Sequence, residues 1–236
     1  FDFNDPLTFP YALKGIDRIF LLRPPHISDI DTYFRPLIMK IKESGINEIV
    51  FLSVQGAEKS KIIPHNKIES LIKEYKMDHI FLRPSYFMQN LTTTLADDIL
   101  KRKTIILPSG KAKFNWIDIN NIAEIAAIVI DDFSTYQNRI IELTGYQNLN
   151  FYDVVQMIRH HLKIPLTYQS VNPLKFYRIK KREEVNKGLI FVMLMLHVLP
   201  RFQKAPRISS NYEIISGKKP TDLSSFIKRE KEFFLV

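Results

Sequence analysis

The sequence predicts an α/β fold: a Rossmann-type parallel sheet with helices on both faces, plus a smaller, mostly helical C-terminal lobe. In the first half, short runs rich in β-branched and aromatic residues alternate with amphipathic segments, which is typical of parallel strands joined by crossover helices. At 236 residues, 45% hydrophobic and 25% charged, the chain is long and apolar enough to bury a core. After about Pro173 the pattern changes to basic and apolar helical segments broken by prolines.

Five short apolar runs predict the strands. The first three are rich in β-branched and aromatic residues, which is typical of buried parallel strands. The strands are predicted over Ile16–Leu22, Asn47–Ser53, His79–Arg83, Thr104–Leu107 and Ile140–Thr144.

Apolar residues at three- and four-residue steps predict the helices. We expect them over Ile30–Ser44, His65–Lys76, Tyr86–Lys101, Asn120–Ile130 and Asn150–Leu162. Gly45 is a helix stop, and Asn120 and Asn150 are candidate N-caps.

The longest apolar run is Leu189–Leu196. It is about half as long as a bilayer-spanning helix. We therefore expect a buried or lid helix there and no membrane partner. We divide the chain into a sheet domain over residues 1–150 and a C-terminal substrate or lid lobe over residues 151–236, which partly returns to the sheet.

Composition excludes several classes of function. Cysteine is absent, which rules out disulfides, thiolate nucleophiles and cysteine metal sites. The net charge is +9, but the lysines are scattered and form no basic stripe with interleaved aromatics, so we expect no nucleic-acid partner. His160 and His161 are adjacent in sequence and have no third ligand at a suitable spacing, so no metal site is expected. No G-x-S-x-G hydrolase motif is present. With no recognisable signal peptide, we expect a cytoplasmic protein.

A dinucleotide-binding glycine turn is missing from the sequence. The seven glycines all lie more than ten residues apart, so no G-x-G-x-x-G turn can form to hold a pyrophosphate.

A series of motifs nevertheless runs along nearly the whole chain. It comprises FDFNDPLTFPYALKGIDRIFLLRPP, INEIVFLSVQGA, PHNKIESLIKEYKMDHIFLRPSYFMQN, FNWIDINNIAEIAA and IIELTGYQNLNFYDVV, followed by Gly-x-x-Pro at Gly217–Pro220. This order resembles the NmrA-like, atypical short-chain dehydrogenase/reductase family, and Leu82–Asn90 is its most specific part. Members similar to this chain include quinone and triphenylmethane reductases and cofactor-sensing regulators without catalysis.

The resemblance implies that FDFND is the third strand of the sheet, with Asp2 touching the adenine ring and Asp5 opening the next helix. The first strand, its glycine turn, the first helix and the second strand are then expected before Phe1. Such a βαβ unit takes roughly thirty residues or more.

The resemblance also locates the catalytic register. In the parent superfamily a tyrosine transfers the substrate's proton, and a lysine four residues later lowers its pKa. Glu69 resembles the family's glutamate, which puts His65 in the lysine's place and Lys61 in the tyrosine's. His65 is expected to contact the cofactor ribose or the substrate; alternatively it only starts a helix after Pro64.

The predicted catalytic residues are His65 and Ser53, since the family's catalytic Ser or Thr falls near Ser53. A strand-terminal hydroxyl that bonds its own backbone is the alternative for Ser53. The predicted cofactor-binding residues are Asp2, Phe3, Leu22, Arg23, Pro24, Ser53, His65, Pro84, Tyr86 and Phe87. Asp118 matches a position that shapes the substrate side, or it is only an N-terminal helix carboxylate.

The function implied is an NAD(P)H-dependent reductase, with NADPH preferred, acting on a small aromatic or quinone-like acceptor. Without a phenolic acid, acceptors whose reduced anion is stabilised by delocalisation are favoured, because water can protonate them. Two alternatives stay open: a non-catalytic NAD(P)-sensing regulator with a protein partner, and a truncated chain that binds no dinucleotide. A homodimer is also compatible with the sequence.

Overall fold

The computed structural model describes residues 1–59, 61 and 63–235. The chain forms two compact units and passes between them three times. The first unit comprises Phe1–Pro84 and Ala123–Leu143, and the second comprises Ser85–Ile122 and the residues from Thr144 onwards. The division predicted near residue 150 is a functional one, between cofactor and substrate binding, and it stays a prediction. The compact units are defined by packing, and their segments alternate along the chain.

Nine strands and twelve helices make up the described chain. The strands are β1 (Arg18–Leu22), β2 (Glu48–Leu52), β3 (Asp78–Pro84), β4 (Tyr86–Phe87), β5 (Thr104–Leu107), β6 (Phe114–Ile117), β7 (Arg139–Leu143), β8 (Asn148–Leu149) and β9 (Thr167–Ser170). The helices are α1 (Phe9–Ala12), α2 (Ile30–Glu43), α3 (Pro64–Glu74), α4 (Ala96–Leu100), α5 (Ile119–Asp131), α6 (Phe133–Tyr136), α7 (Phe151–Leu162), α8 (Pro173–Arg182), α9 (Lys187–Val198), α10 (Asn211–Ser216), α11 (Leu223–Arg229) and α12 (Lys231–Phe234). Short 3-10 turns cover Pro6–Thr8, Ala57–Lys59, Met88–Leu91 and Leu199–Phe202.

The first unit is built on a parallel sheet with the strand order β1-β2-β3-β7. Alternate residues of a strand point to opposite faces. Ile49 and Phe51 pack in one core with the apolar faces of α2 and α3, and Val50, between them, is equally buried on the other side. Both faces of the sheet are therefore covered, which confirms the predicted α/β class.

The second unit has its own core, where α7 and α11 pack around Trp116 and Phe151. Two small sheets, β4-β6-β8 and β5-β9, border this core. Helix α7 starts as predicted: the Asn150 side chain accepts hydrogen bonds from the backbone N–H groups of Tyr152 and Asp153, and the Asp153 carboxylate accepts one from the Asn150 N–H. These reciprocal bonds satisfy donors that the first helical turn would leave unpaired.

Three local predictions were wrong. FDFND is a tight turn rather than a strand, because the Asp2 carboxylate accepts from the Asn4 N–H (2.8 Å) and folds the chain back so that Asp5 bridges to Asp2. Asp5 does open the following 3-10 turn, as expected. Tyr86–Lys101 is broken into β4, a 3-10 turn and the short helix α4. The carboxylate that caps α5 comes from Asp118, which accepts from the Asn120 N–H, so Asn120 is inside the helix.

No helix in the described ranges is long and apolar enough to cross a membrane.

The chain approaches itself closely at Gly145. A Cβ atom on Gly145 would lie 2.0 Å from the Trp116 carbonyl oxygen, a rigid backbone atom.

We expect Gly145→Ala to destabilise the protein by about 3 kcal/mol, because the backbone must move to relieve the clash. Urea denaturation measures this. Gly188→Ala is the matched control: Gly188 is in the first turn of α9 and meets only the flexible Asn186 side chain, so the midpoint should be nearly unchanged. Equal midpoints for both variants would contradict the close approach.

Candidate functional site

The carboxyl ends of β1, β2 and β3 meet at one edge of the first unit's sheet, because the three strands are parallel and in register. Ligands of open α/β sheets bind beyond this edge. Arg23 and Pro24 follow β1 directly, Ser53 follows β2, and Pro84 ends β3. The Pro84 carbonyl accepts a hydrogen bond from the Gln55 N–H (2.9 Å), which holds the two loops together.

Four polar side chains form a hydrogen-bonded group at this edge, which we call the edge cluster: the buried Ser53, Glu69 and Arg83, and the half-exposed Glu58. Arg83 donates from Nε to Glu69 Oε1 (2.9 Å) and from Nη2 to Glu69 Oε2 (2.6 Å). Its Nη1 donates to Glu58 (2.6 Å). These hydrogen bonds, above all those to Glu69, raise the pKa of the Arg83 guanidinium. The cluster ties α3 to β3 and to the loop after β2.

Ser53 belongs to this cluster. Its hydroxyl donates to Glu69 Oε1 at 2.6 Å, and the residue is buried. Because its one proton is engaged by the carboxylate, the hydroxyl is not free to act as a proton donor. The backbone-bonding alternative is also wrong, since the acceptor is a side chain. A catalytic role for Ser53 stays a prediction, restricted to accepting a hydrogen bond.

His65 lies one helical turn before Glu69, at the start of α3. Its ring stacks against Phe51, with 6.0 Å between centroids. Neither ring nitrogen has a hydrogen-bond partner among the described residues. Burial, with a smaller contribution from the Arg23 charge, lowers the pKa of His65 to about 4. At neutral pH His65 is therefore an uncharged imidazole that can donate one hydrogen bond and accept another.

Arg23 completes the edge on the β1 side. Its Nη1 donates to the carbonyls of Pro24 (3.0 Å), Pro25 (3.1 Å) and Ile27 (2.6 Å). Its buried Nε has no partner in the described chain. Burial lowers the pKa of the Arg23 guanidinium, but an arginine remains charged at neutral pH. An unpartnered buried donor next to a free imidazole is where a polar ligand would be held.

These two side chains fit part of a dinucleotide. A cation with a spare donor suits a phosphate or carboxamide oxygen, and a neutral imidazole suits a ribose hydroxyl. The glycine turn that would hold the pyrophosphate is absent from residues 1–236. The residues present therefore fit the outer part of a cofactor site and not its phosphate loop.

Three other predicted cofactor residues of the first unit, Asp2, Phe3 and Leu22, make their contacts elsewhere. Asp2 is exposed, and the hydrogen bonds from Asn4 lower the pKa of its carboxyl group. Phe3 packs its ring 5.1 Å from that of Phe34 in the core. The Leu22 side chain is 54% exposed on β1, which has no neighbour on its outer side among the described strands. Lys61, in the tyrosine's register, is exposed and lines a groove between α2 and α3.

Tyr86 and Phe87 belong to the second unit, where their backbone pairs with Trp116 and Ile117. The Tyr86 ring packs in the aromatic core, and its hydroxyl lies 3.1 Å from His197 Nε2. His197 Nδ1 lies 2.7 Å from the Met193 carbonyl, so Nδ1 carries the proton and Nε2 accepts from the phenol. Burial raises the pKa of Tyr86 and lowers that of His197 to about 4.

Asp118 is also in the second unit and is fully buried. It accepts from Arg229 Nη1 (2.6 Å) and Gln89 Nε2 (2.6 Å) as well as capping α5. Burial alone would raise the pKa of Asp118, but these hydrogen bonds lower it. Its contacts are those of a structural anchor for α11. A separate, very small cavity in this unit is lined by Met88, Trp116, residues 145–147, Leu149 and residues 221–223.

Sequence reasoning missed Glu58, Arg83, Gln89, His197 and Arg229. For Arg83 a signal was present: an arginine inside the apolar strand HIFLRP must be paired if it is buried. The others depend on contacts between distant segments. The described residues contain no group of three or more His, Asp or Glu placed to share a metal ion.

The chain is similar to a known protein family and to several characterised proteins. The model of the NmrA-like family matches residues 2–223. Prestalk A differentiation protein A of Dictyostelium discoideum is 28% identical over 228 residues, covering 97% of this chain and 74% of that protein. The NAD(P)H azoreductase of Xenophilus azovorans is 26% identical over 174 residues, covering 72% of this chain and 60% of that protein.

A solved structure shows the same fold. The NADPH-dependent quinone oxidoreductase of Escherichia coli, crystallised with NADPH, superimposes with a TM-score of 0.84 at 18% identity. The match covers 97% of this chain and 81% of that one. At this identity the likeness concerns the fold alone.

The edge cluster generates a stability prediction. Glu69→Gln leaves the buried Arg83 without its main counter-charge, and we expect a loss of about 3 kcal/mol in the free energy of unfolding. Asp97→Asn is the control, because it removes the exposed Asp97–Lys101 pair and should leave the urea midpoint nearly unchanged. Equal effects of the two variants would show that Arg83 and Glu69 are not buried together.

The pKa of His65 generates a pH prediction. Its folded value of about 4 is below the ordinary 6.5, so the unfolded chain takes up a proton first as the pH falls. The stabilising effect is complete above pH 6.5 and is lost towards pH 4. From pH 7 to pH 5 the wild type should lose about 2 kcal/mol more than His65→Gln. Urea denaturation at both pH values measures the difference, and parallel losses would contradict it.

Proposed function

The chain belongs to the NmrA-like family, and from this we propose that it binds NADPH and transfers hydride to a small aromatic or quinone-like acceptor. Two proteins similar to it support this proposal by what their names say they act on. One is an NAD(P)H azoreductase and the other an NADPH-dependent quinone oxidoreductase. Azo compounds and quinones are both electrophilic, delocalised acceptors.

The observation that carries the proposal is a pair of polar groups at the sheet edge, Arg23 Nε and the His65 imidazole, for which the described residues provide no hydrogen-bond partner. The Arg23 charge would attract an anionic part of the cofactor or an electron-rich carbonyl oxygen. His65 would hydrogen-bond a ribose hydroxyl or the acceptor's oxygen. When bound, the reduced nicotinamide supplies a hydride, which is a proton with two electrons.

The proton balance sets the acceptor class. His65 is neutral at physiological pH, because its pKa is about 4. The Ser53 proton is held by Glu69, and Lys61 is exposed and lines the groove between α2 and α3. Hydride addition therefore leaves an anion that water must protonate. Such a reaction suits acceptors whose reduced form is a stabilised anion, as in quinol formation, better than simple ketones.

The edge cluster positions His65 for this role. Glu69 is four residues after His65 and therefore on the same face of α3. The two hydrogen bonds from Arg83 to Glu69 fix the rotation of α3, so the imidazole stays against Phe51. Glu69 and Arg83 thus act through His65 as positioning residues.

The lack of a free acid also favours a second candidate, a protein that senses NAD(P) without turning over a substrate. The two candidates share the cofactor and differ in the second reactant. Binding with no oxidation of NADPH across quinones and azo dyes would favour the sensor.

The test uses calorimetric titration of the full chain with NADPH, followed by NADPH consumption with a naphthoquinone. We expect Arg23→Gln to weaken NADPH binding about tenfold, because a charged hydrogen bond is lost. Arg178→Gln makes the same change of charge at an exposed position of α8 and should bind like the wild type. No heat of binding for the wild-type chain, or equal weakening in both variants, would overturn the proposal.

A further inference from the structure

Helix α9 in the second unit is apolar on all sides but buried on only one. Its sequence from Gly188 to Leu196 contains no charged residue. Ile190, Met193 and His197 face the core. The side chains exposed to solvent on the helix and the turn after it are Leu189, Phe191, Val192, Leu196, Leu199 and Phe202. A helix that is apolar all round is normally covered all round, so this outer face is unusual.

Within the segment that carries this face, residues 185–212, the charged residues are of one sign. Residues 185–212 include no Asp or Glu, while Lys187, Arg201, Lys204 and Arg207 are all cationic. Lys187, Arg201 and Lys204 form no ion pair with any carboxylate in the described ranges. By contrast Lys180, just before this segment, is buried and paired with Asp98 and Glu183. The 185–212 segment therefore presents an apolar surface flanked at both ends by cations.

We infer that the 185–212 segment docks on the surface of an anionic lipid bilayer. Its exposed apolar side chains would enter the boundary between headgroups and acyl chains, and Lys187, Arg201 and Lys204 would meet lipid phosphates. Helix α9 has 12 residues, or about 18 Å, which is too short to span a bilayer. It would lie in the plane of the surface. The inference does not depend on the proposed reductase activity.

Charge favours a bilayer over a second copy of the chain. In a symmetric dimer through this face, each copy would bring the same cations against those of its partner, with no acidic residue in the segment to neutralise them. An anionic bilayer supplies both hydrocarbon and negative charge. No membrane partner was expected from the sequence, because the apolar run predicts a buried or lid helix and its outward exposure is visible only in the structure.

The experiment is flotation of the full chain with vesicles of phosphatidylcholine, alone or mixed with phosphatidylglycerol. We expect binding to the anionic vesicles, little to the neutral ones, and release by high salt. Phe191→Gln with Phe202→Gln, at positions 63% and 80% exposed, should weaken binding at least about tenfold. Lys187→Gln with Lys204→Gln should weaken it by about fivefold per residue.

The matched control is Leu7→Gln with Ile214→Gln, which removes two apolar side chains of similar exposure, 79% and 73%, outside the segment. It should float like the wild type, and equal melting temperatures would show that all variants fold. Failure to bind anionic vesicles, or equal loss in the control pair, would overturn the inference. So would a dimer, detected by light scattering, that the Phe191 and Phe202 substitutions dissociate, because the face would then be covered by a second copy.

Discussion

The buried contact between Arg83 and Glu69 is the interaction on which the functional edge of the first unit depends. Removing both charges from water is costly, and four hydrogen bonds offset this cost. Two of them join the pair, Ser53 donates to the carboxylate, and Glu58 accepts a third bond from the guanidinium. Since the cluster includes β3, α3 and the loop after β2, it fixes where the neighbouring imidazole lies. Apolar side chains in place of Arg83 and Glu69 could fill the same volume, but they would not fix the orientation of α3 and its imidazole in the same way.

Much of the fold was predictable because the strands and long helices are dictated by local patterns. The strand β5 has the predicted limits, and β2, α2 and α7 differ from them by a residue or so. Two of the three errors share one physical cause: a short polar side chain competed with the regular structure. Asp2 formed a turn with Asn4 where a strand was expected, and Asp118 capped α5 ahead of Asn120. Periodicity carries no information about such bonds.

The candidate site was predictable in outline and not in detail. Strand order and the carboxyl-edge rule place Arg23 and Ser53 at one edge, and the family resemblance adds His65. In the structure all three lie in the segments that follow β1 and β2. What the sequence could not give is which groups are already satisfied. The Ser53 hydroxyl donates a hydrogen bond to a carboxylate sixteen positions away in sequence. The His65 nitrogens have no hydrogen-bond partner among the described residues, and burial, which removes the hydration of the ring, lowers the pKa of His65. Which hydrogen bonds a side chain makes and how deeply it is buried depend on packing between segments that are distant in sequence, so a local sequence pattern does not predict them.

The hydrogen bond between Tyr86 and His197 has a consequence for how the second unit can evolve. The Tyr86 phenol donates a hydrogen bond to His197 Nε2, and the same imidazole donates from Nδ1 to the Met193 carbonyl. Losing the Tyr86 hydroxyl would leave His197 Nε2 without this donor in an apolar interior, where an unsatisfied polar group is poorly tolerated. The two positions, more than a hundred residues apart, are therefore coupled, so that a substitution at one changes which residues fit at the other. Natural variation at one of them is constrained by a residue that no local motif connects to it.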